Sequence, residues 1–141
     1  MRMNTFPVKI MACNRTFFDG RCDLLVVPLQ DGEKGIMANH EDTVFATEIG
    51  EMRVRTADGE TIHAVCGPGI LQMINTRALL LLGSVEKPEE IDVYRAKEAL
   101  LRAQEDLRHK QSRREYEHTQ ATISRAMSRL KVSKKYQIEG Y

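Results

Sequence analysis

The sequence of 141 residues contains no tryptophan and only three cysteines, Cys13, Cys22 and Cys66. An odd cysteine count without a C-x-x-C spacing gives poor support to a disulfide framework or a zinc site. Cys66 follows the alternating run Ile62-His63-Ala64-Val65, so each thiol reads as a small buried hydrophobe. No apolar run approaches the roughly 18 residues needed to cross a bilayer, which excludes a spanning helix. Met1-Arg2-Met3-Asn4-Thr5 lacks a signal-peptide core, so a cytosolic protein is expected. The formal net charge of +1 gives no whole-chain attraction to nucleic acid or to an anionic membrane. Catalytic constellations are missing too. The histidines His40, His63, His109 and His118 have no metal-ligand spacing, and there is no P-loop, no GxGxxG and no nucleophile elbow. No catalytic residue and no metal site are expected.

Two periodicities divide the chain. As far as residue 88 apolar residues alternate in short runs: Phe6, Val8 and Ile10; Met52 and Val54; Ile62 and Ala64. Asp19-Gly20, Asp31-Gly32, Asp58-Gly59 and Gly67-Pro68-Gly69 punctuate them and predict turns. The run Ala78 to Leu82 ends at Gly83 and reads as a strand buried on both faces. Closely spaced short strands predict a β-sandwich or barrel over residues 1–88.

Glu89 to Tyr136 contains neither glycine nor proline. Pro88 followed by Glu89-Glu90 suits a helix start, because acids favour the positive end of the helix dipole. Ile91, Tyr94, Ala99 or Leu100, Ala103 and Leu107 make one apolar stripe. Tyr116, Ile123 and Leu130 make a second, with Thr119, Ala126 and Met127 between. Apolar residues stop from His109 to Glu115, which breaks the helix and predicts an antiparallel hairpin over 89–136 with a tail at 137–141. Charge divides similarly: residues 1–88 carry 9 basic and 11 acidic side chains, whereas 108–135 carries 9 basic and 2 acidic. A narrow apolar stripe flanked by basic residues fits docking onto an acidic partner.

A β domain followed at once by such a hairpin resembles the epsilon subunit of bacterial F-type ATP synthases. Gly32-Glu33-Lys34-Gly35-Ile36-Met37-Ala38-Asn39-His40 resembles the family's G-E-x-G-I-x-P-N-H segment. Gly50-Glu51-Met52-Arg53-Val54 resembles its G-x-x-R-I strand, and Ile91-Asp92-Val93-Tyr94-Arg95-Ala96 its I/L-D-x-x-R-A signature. The likeness runs from about Thr5 to Lys135. Ala38 in place of proline, Glu41-Asp42-Thr43 in place of Ala-Pro-Leu, and Cys66-Gly67-Pro68-Gly69 in place of a Ser-Gly-Gly-Phe-like turn depart from the pattern.

The resemblance implies a mostly β plus α fold, a ten-stranded β-sandwich followed by an antiparallel two-helix hairpin. It implies a non-catalytic rotor subunit of the central stalk, peripheral at the cytoplasmic face of the plasma membrane. The sandwich would dock on the gamma subunit and the c-ring, with Glu33 and His40 at that interface. The hairpin, when extended, would meet the alpha/beta hexamer and inhibit ATP hydrolysis. Some relatives bind ATP between hairpin and sandwich. Carried over by position, Glu86, Ile91, Asp92 and Ala96 would surround base and ribose, and Arg95, Arg102, Arg125 and Arg129 would line the phosphates, with or without magnesium. ATP would be a regulatory ligand, since no cofactor is required. The residues alone also allow a free-standing nucleotide- or anion-sensing module. A nucleic-acid-binding hairpin is disfavoured by the lack of aromatics interleaved with its basic residues.

Overall fold

The computed structural model describes residues 4–109 and 112–137. Two compact units follow one another, Met1–Val85 and Glu86–Tyr141. The first is built from strands β1 (Phe6–Ala12), β2 (Arg15–Leu29), β3 (Gly32–Ile36), β4 (Thr43–Thr47), β5 (Gly50–Thr56), β6 (Thr61–Cys66), β7 (Gly69–Ile74) and β8 (Arg77–Leu82), and it ends at Val85 of the two-residue strand β9 (Val85–Glu86), whose Glu86 opens the second unit.

Among the described residues the expected tenth strand is absent as a separate element, because β2 does duty twice. Its first half pairs with β1, from Ala12↔Arg15 to Phe6↔Cys22. Its second half lies between β3 and β5, with Val26 opposite both Gly35 and Arg53. The path β4-β7-β8-β1-β2-β5-β6-β9, with β3 added beside β2, therefore folds into two layers of five strands sharing β2. The register slips between Cys22 and Leu24, the kind of bulge that bends a strand from one layer into the next.

Alternation accounts for the core. Phe6, Val8 and Ile10, Leu25 and Val27, Met52 and Val54, Leu71 and Met73, and Leu80 and Leu82 form one buried cluster from the facing layers. The Asp58-Gly59 turn closes β5 onto β6, with Gly59 at φ +88, a conformation that favours glycine. Asp31-Gly32 and Gly67-Pro68 likewise stand at the β2–β3 and β6–β7 connections.

Two expectations are corrected. Asp19-Gly20 is not a turn, because both residues lie inside β2, opposite Lys9 and Val8. The reversal occurs at Cys13-Asn14, where alternation on both flanking strands and the Lys9–Asp19 cross-strand pair set the register. Ala78 to Leu82 is buried on one face only: Leu81 is 47% exposed, and Ile70 directly opposite it is 52% exposed. This is the usual state of an antiparallel layer with one face on the core.

In the second unit Pro88–Glu90 forms a single 3-10 turn, and Ile91 returns to extended backbone. The helix α1 (Val93–Asp106) therefore starts later than Pro88 predicts. Asp92 sets the start by accepting a hydrogen bond from the Arg95 backbone N–H at 3.0 Å. Helix α2 (Arg113–Gln137) follows and packs on α1. Residues 138–141 of the expected tail lie outside the described residues, and Gln137 closes α2.

The stripes shift as well. Ala96, Ala103, Thr119 and Ala126 are buried, whereas Tyr94 (71%), Leu101, Tyr116 and Met127 are exposed. Small buried residues on both helices permit close approach, and Val132 of α2 is fully buried as well.

Candidate functional site

The eight residues expected around a nucleotide all belong to the second unit. Glu86 and Arg129, 43 positions apart, meet: Arg129 Nε donates to Glu86 Oε1 at 2.7 Å, and Nη2 reaches the same oxygen. Both side chains are half-buried. Asp92 caps α1, and its other carboxylate oxygen lies 3.7 Å from Arg95 Nε on an exposed surface. Such an i,i+3 pair contributes about 0.2–0.5 kcal/mol. Ile91 and Ala96 are buried.

Arg102 and Arg125 are differently placed. Arg102 lines an interhelical cleft of about 210 Å³ with Ala99, Ala103, Asp106, His118, Thr119 and Thr122. Arg125 and Arg129 do not line it, so the four guanidiniums do not converge on this cleft. The physical reason is antiparallel pairing, which sets Arg102 opposite the Thr119 turn and leaves Arg125 further along α2. Neither Arg102 nor Arg125 has an ion-pair partner among the described residues.

The two sandwich candidates have neighbours of their own. Glu33 is the second residue of β3, and its carboxylate lies 3.3 Å from Arg53 Nη1 on β5. Both partners are exposed enough for water to screen the pair. His40 Nδ1 donates to the Glu41 carbonyl at 2.9 Å, and its ring meets Phe45 edge-on. Lys34 Nζ sits 5.5 Å from the same Phe45 ring. Lys34, His40 and Phe45 thus gather near the β3–β4 connection.

Reading the sequence missed one feature. Val44, Ile70, Ile74 and Leu81 are exposed apolar residues on the outer face of β4, β7 and β8. Their signal was present in the apolar residues at alternate positions that the core does not take. Among the described residues no group of three or more His, Cys, Asp or Glu could hold a metal ion, and no helix is long and apolar enough to cross a membrane.

Comparison with known proteins covers both units. Residues 5–88 match the family described as ATP synthase, Delta/Epsilon chain, beta-sandwich domain, and residues 89–134 match its long alpha-helix domain. The ATP synthase epsilon chain of Ruminiclostridium cellulolyticum is 37% identical over 131 residues, which is 93% of this chain and 97% of the relative. That of Caldicellulosiruptor bescii is 38% identical over 93% of this chain and 95% of its own. A chain in the mitochondrial ATP synthase OSCP/F1/c-ring structure of Euglena gracilis aligns with a TM-score of 0.67 at 16% identity, covering 95% of this chain and 80% of that one. A chain in the central stalk/c-ring of the Tetrahymena thermophila mitochondrial ATP synthase gives 0.66 at 9% identity, covering 94% and 99%. At such identities the structural matches speak for the fold alone. With both units matched in order and the bacterial relatives aligned almost end to end, the chain belongs to the family of epsilon subunits of bacterial F-type ATP synthases.

Proposed function

We propose that the chain is a non-catalytic rotor subunit of the central stalk. It couples ion translocation through the membrane ring to ATP synthesis and restrains ATP hydrolysis through its helices. The carrying observation is the match of both units, in order, to epsilon chains that align over more than nine-tenths of this sequence. The sandwich docks on the gamma subunit and the c-ring, peripheral at the cytoplasmic face of the plasma membrane. The hairpin, once extended, meets the alpha/beta hexamer. Tyr94, Leu101, Tyr116 and Met127, exposed beside a basic α2, support a second partner for the helices. The test is the assembled enzyme with and without residues 89–141. Unchanged ATP hydrolysis after the deletion would refute the restraint.

The same reading includes ATP as a regulatory ligand at Glu86, Ile91, Asp92, Arg95, Ala96, Arg102, Arg125 and Arg129. The donor set suits phosphate, because guanidinium forks pair with its oxygens and two of the four guanidiniums carry no carboxylate among the described residues. Bound ATP would favour the folded hairpin, and low ATP would release the brake. Calorimetric titration with MgATP should give binding that Arg95→Ala and Arg125→Ala each abolish. Absence of heat at millimolar nucleotide would refute the ligand and leave the stalk role standing.

A further inference from the structure

The strand registers lay out the outer face of β4, β7, β8 and β1 as rows of cross-strand neighbours. Ala46, Ile70, Leu81 and Met11 make the first row, which is wholly apolar. Val44, Gln72, Leu79 and Lys9 make the second, with Asp19 of β2 opposite Lys9. Ile74 and Arg77 begin a third. Val44, Ile70, Ile74 and Leu81 are all exposed, Val44 at 64%. The strand β4 that borders this face pairs with β7 alone among the described strands, and it carries no charge and no proline. The other outlying strand, β3, carries Glu33 and Lys34, the kind of charge that protects an open edge. An apolar face beside an unprotected edge marks a surface that a partner covers.

Charge gathers at the far end of the same face. Lys9, Asp19, Gln72, Ile74, Arg77 and Leu79 help to line a groove of about 460 Å³ there. Lys9 has the acid Asp19 as its cross-strand neighbour. Arg77 has only Ile74 opposite it, and it has no ion-pair partner among the described residues. A free guanidinium fork at the end of an apolar face offers a carboxylate two parallel bonds. We propose that this face receives the gamma subunit, its apolar rows packing against apolar side chains of gamma and Arg77 pairing with a carboxylate of gamma at the groove. The inference rests on the rotor reading above and adds to it a surface and an orienting contact. Of the two partners in that reading, gamma suits the face. Wide apolar rows fit a partner held permanently, because permanent interfaces are the more apolar ones. The exposed Glu33–Arg53 pair on the other layer fits a polar contact instead. The rows supply contact area, and Arg77 sets which way gamma lies across them.

Binding of the full-length chain to the alpha/beta hexamer with gamma, stripped of its own epsilon subunit, tests this. The wild type is compared with Leu81→Asp, Ile70→Thr, Arg77→Met and Arg77→Lys at low and at high salt. Leu81→Asp should weaken binding about a hundredfold, because it sets a charge in the apolar row. Ile70→Thr keeps a β-branched side chain, should weaken binding about fivefold, and carries the test if Leu81→Asp fails to fold. Arg77→Met should weaken binding about tenfold at low salt, or about 1.4 kcal/mol, and far less at high salt, where ions screen the contact. Arg77→Lys should restore most of the affinity, since the charge returns. Arg77→Met binding like the wild type at low salt would overturn the carboxylate contact. Unchanged binding by both Leu81→Asp and Ile70→Thr would overturn the face. Variants that lose binding to an isolated c-ring but not to the stripped enzyme would give the face to the ring. Loss of self-association alone would give it to a second copy of this chain, and either result overturns gamma as its occupant. A wild type that binds neither the stripped enzyme nor the ring would overturn the rotor reading and the inference together.

Discussion

Asp23 Oδ1 accepts a 2.6 Å hydrogen bond from Arg55 Nε, and Asp23 is the residue skipped where the β2–β5 register slips. The carboxylate is nearly buried, so this pair braces the point at which β2 leaves one layer for the other. Asp23→Ala should destabilise the protein by about 2 kcal/mol, since it removes a charge-assisted bond and leaves a part-buried guanidinium. Urea unfolding of Asp23→Ala, Arg55→Ala and the double variant checks this. The double variant should lose clearly less than the two single losses combined, and strict additivity would show that the pair does not couple.

Gly69 opens β7 where the chain passes close to β8. A Cβ placed there would lie 2.0 Å from the Leu81 carbonyl oxygen and 3.0 Å from Leu82 Cα. Backbone, unlike a side-chain tip, cannot step aside locally. Gly69→Ala should cost about 3 kcal/mol. At Gly35 the nearest atom would be Leu24 Cδ1 at 3.5 Å, so Gly35→Ala should change stability by less than about 1 kcal/mol. Denaturation midpoints that fail to separate the two variants would contradict this.

The β7–β8 hairpin turns on Asn75 and Thr76, at φ +50 and +60. Asn tolerates this region, but a β-branched residue is strained there. Asp42 Oδ1 accepts from the Asn75 N–H at 3.0 Å and holds the tip. Thr76→Gly should raise stability by roughly 0.5–1 kcal/mol, because Asn-Gly is the preferred pair for such a turn. A lowered melting temperature would mean that Thr76 makes up for its strain elsewhere.

Burial pushes the Cys22 and Cys66 thiols up from 9.0 to about 12. Below pH 9 both states keep these protons, and stability from this source is constant. Between about pH 9 and 12 the unfolded chain releases two protons that the folded one retains, so stability falls with rising pH by about 1.4 kcal/mol per unit per thiol. Denaturant titrations from pH 8 to 11 should show the decline, and a Cys22→Ala, Cys66→Ala variant should lack it. Native protein at pH 8 should offer only the exposed Cys13 to a thiol reagent, with the buried pair reacting after unfolding.

Local chemistry made much of this protein legible from sequence. Alternating Phe6, Val8 and Ile10 or Met52 and Val54 predict half-buried strands because successive side chains point to opposite faces. Asp58-Gly59 predicts its hairpin because the turn needs positive φ. The long stretch without glycine or proline, interrupted in apolar content near His109, predicts two helices. Motif order led to the family. These signals act over a few residues and need no knowledge of the whole.

Tertiary structure decided everything that depends on which distant segments meet. Asp19-Gly20 looks like a turn until β1 claims Lys9–Asp19 as a cross-strand pair. Leu81 looks like core until β8 presents alternate residues to the outside. Tyr94 and Tyr116 look like seam residues until the helices pack through Ala96, Ala103, Thr119 and Ala126. No spacing rule joins Asp23 to Arg55, 32 positions away, or Glu86 to Arg129. Such pairs follow from long-range strand order and helix docking, where small differences in packing select among many local preferences that the sequence leaves equally open.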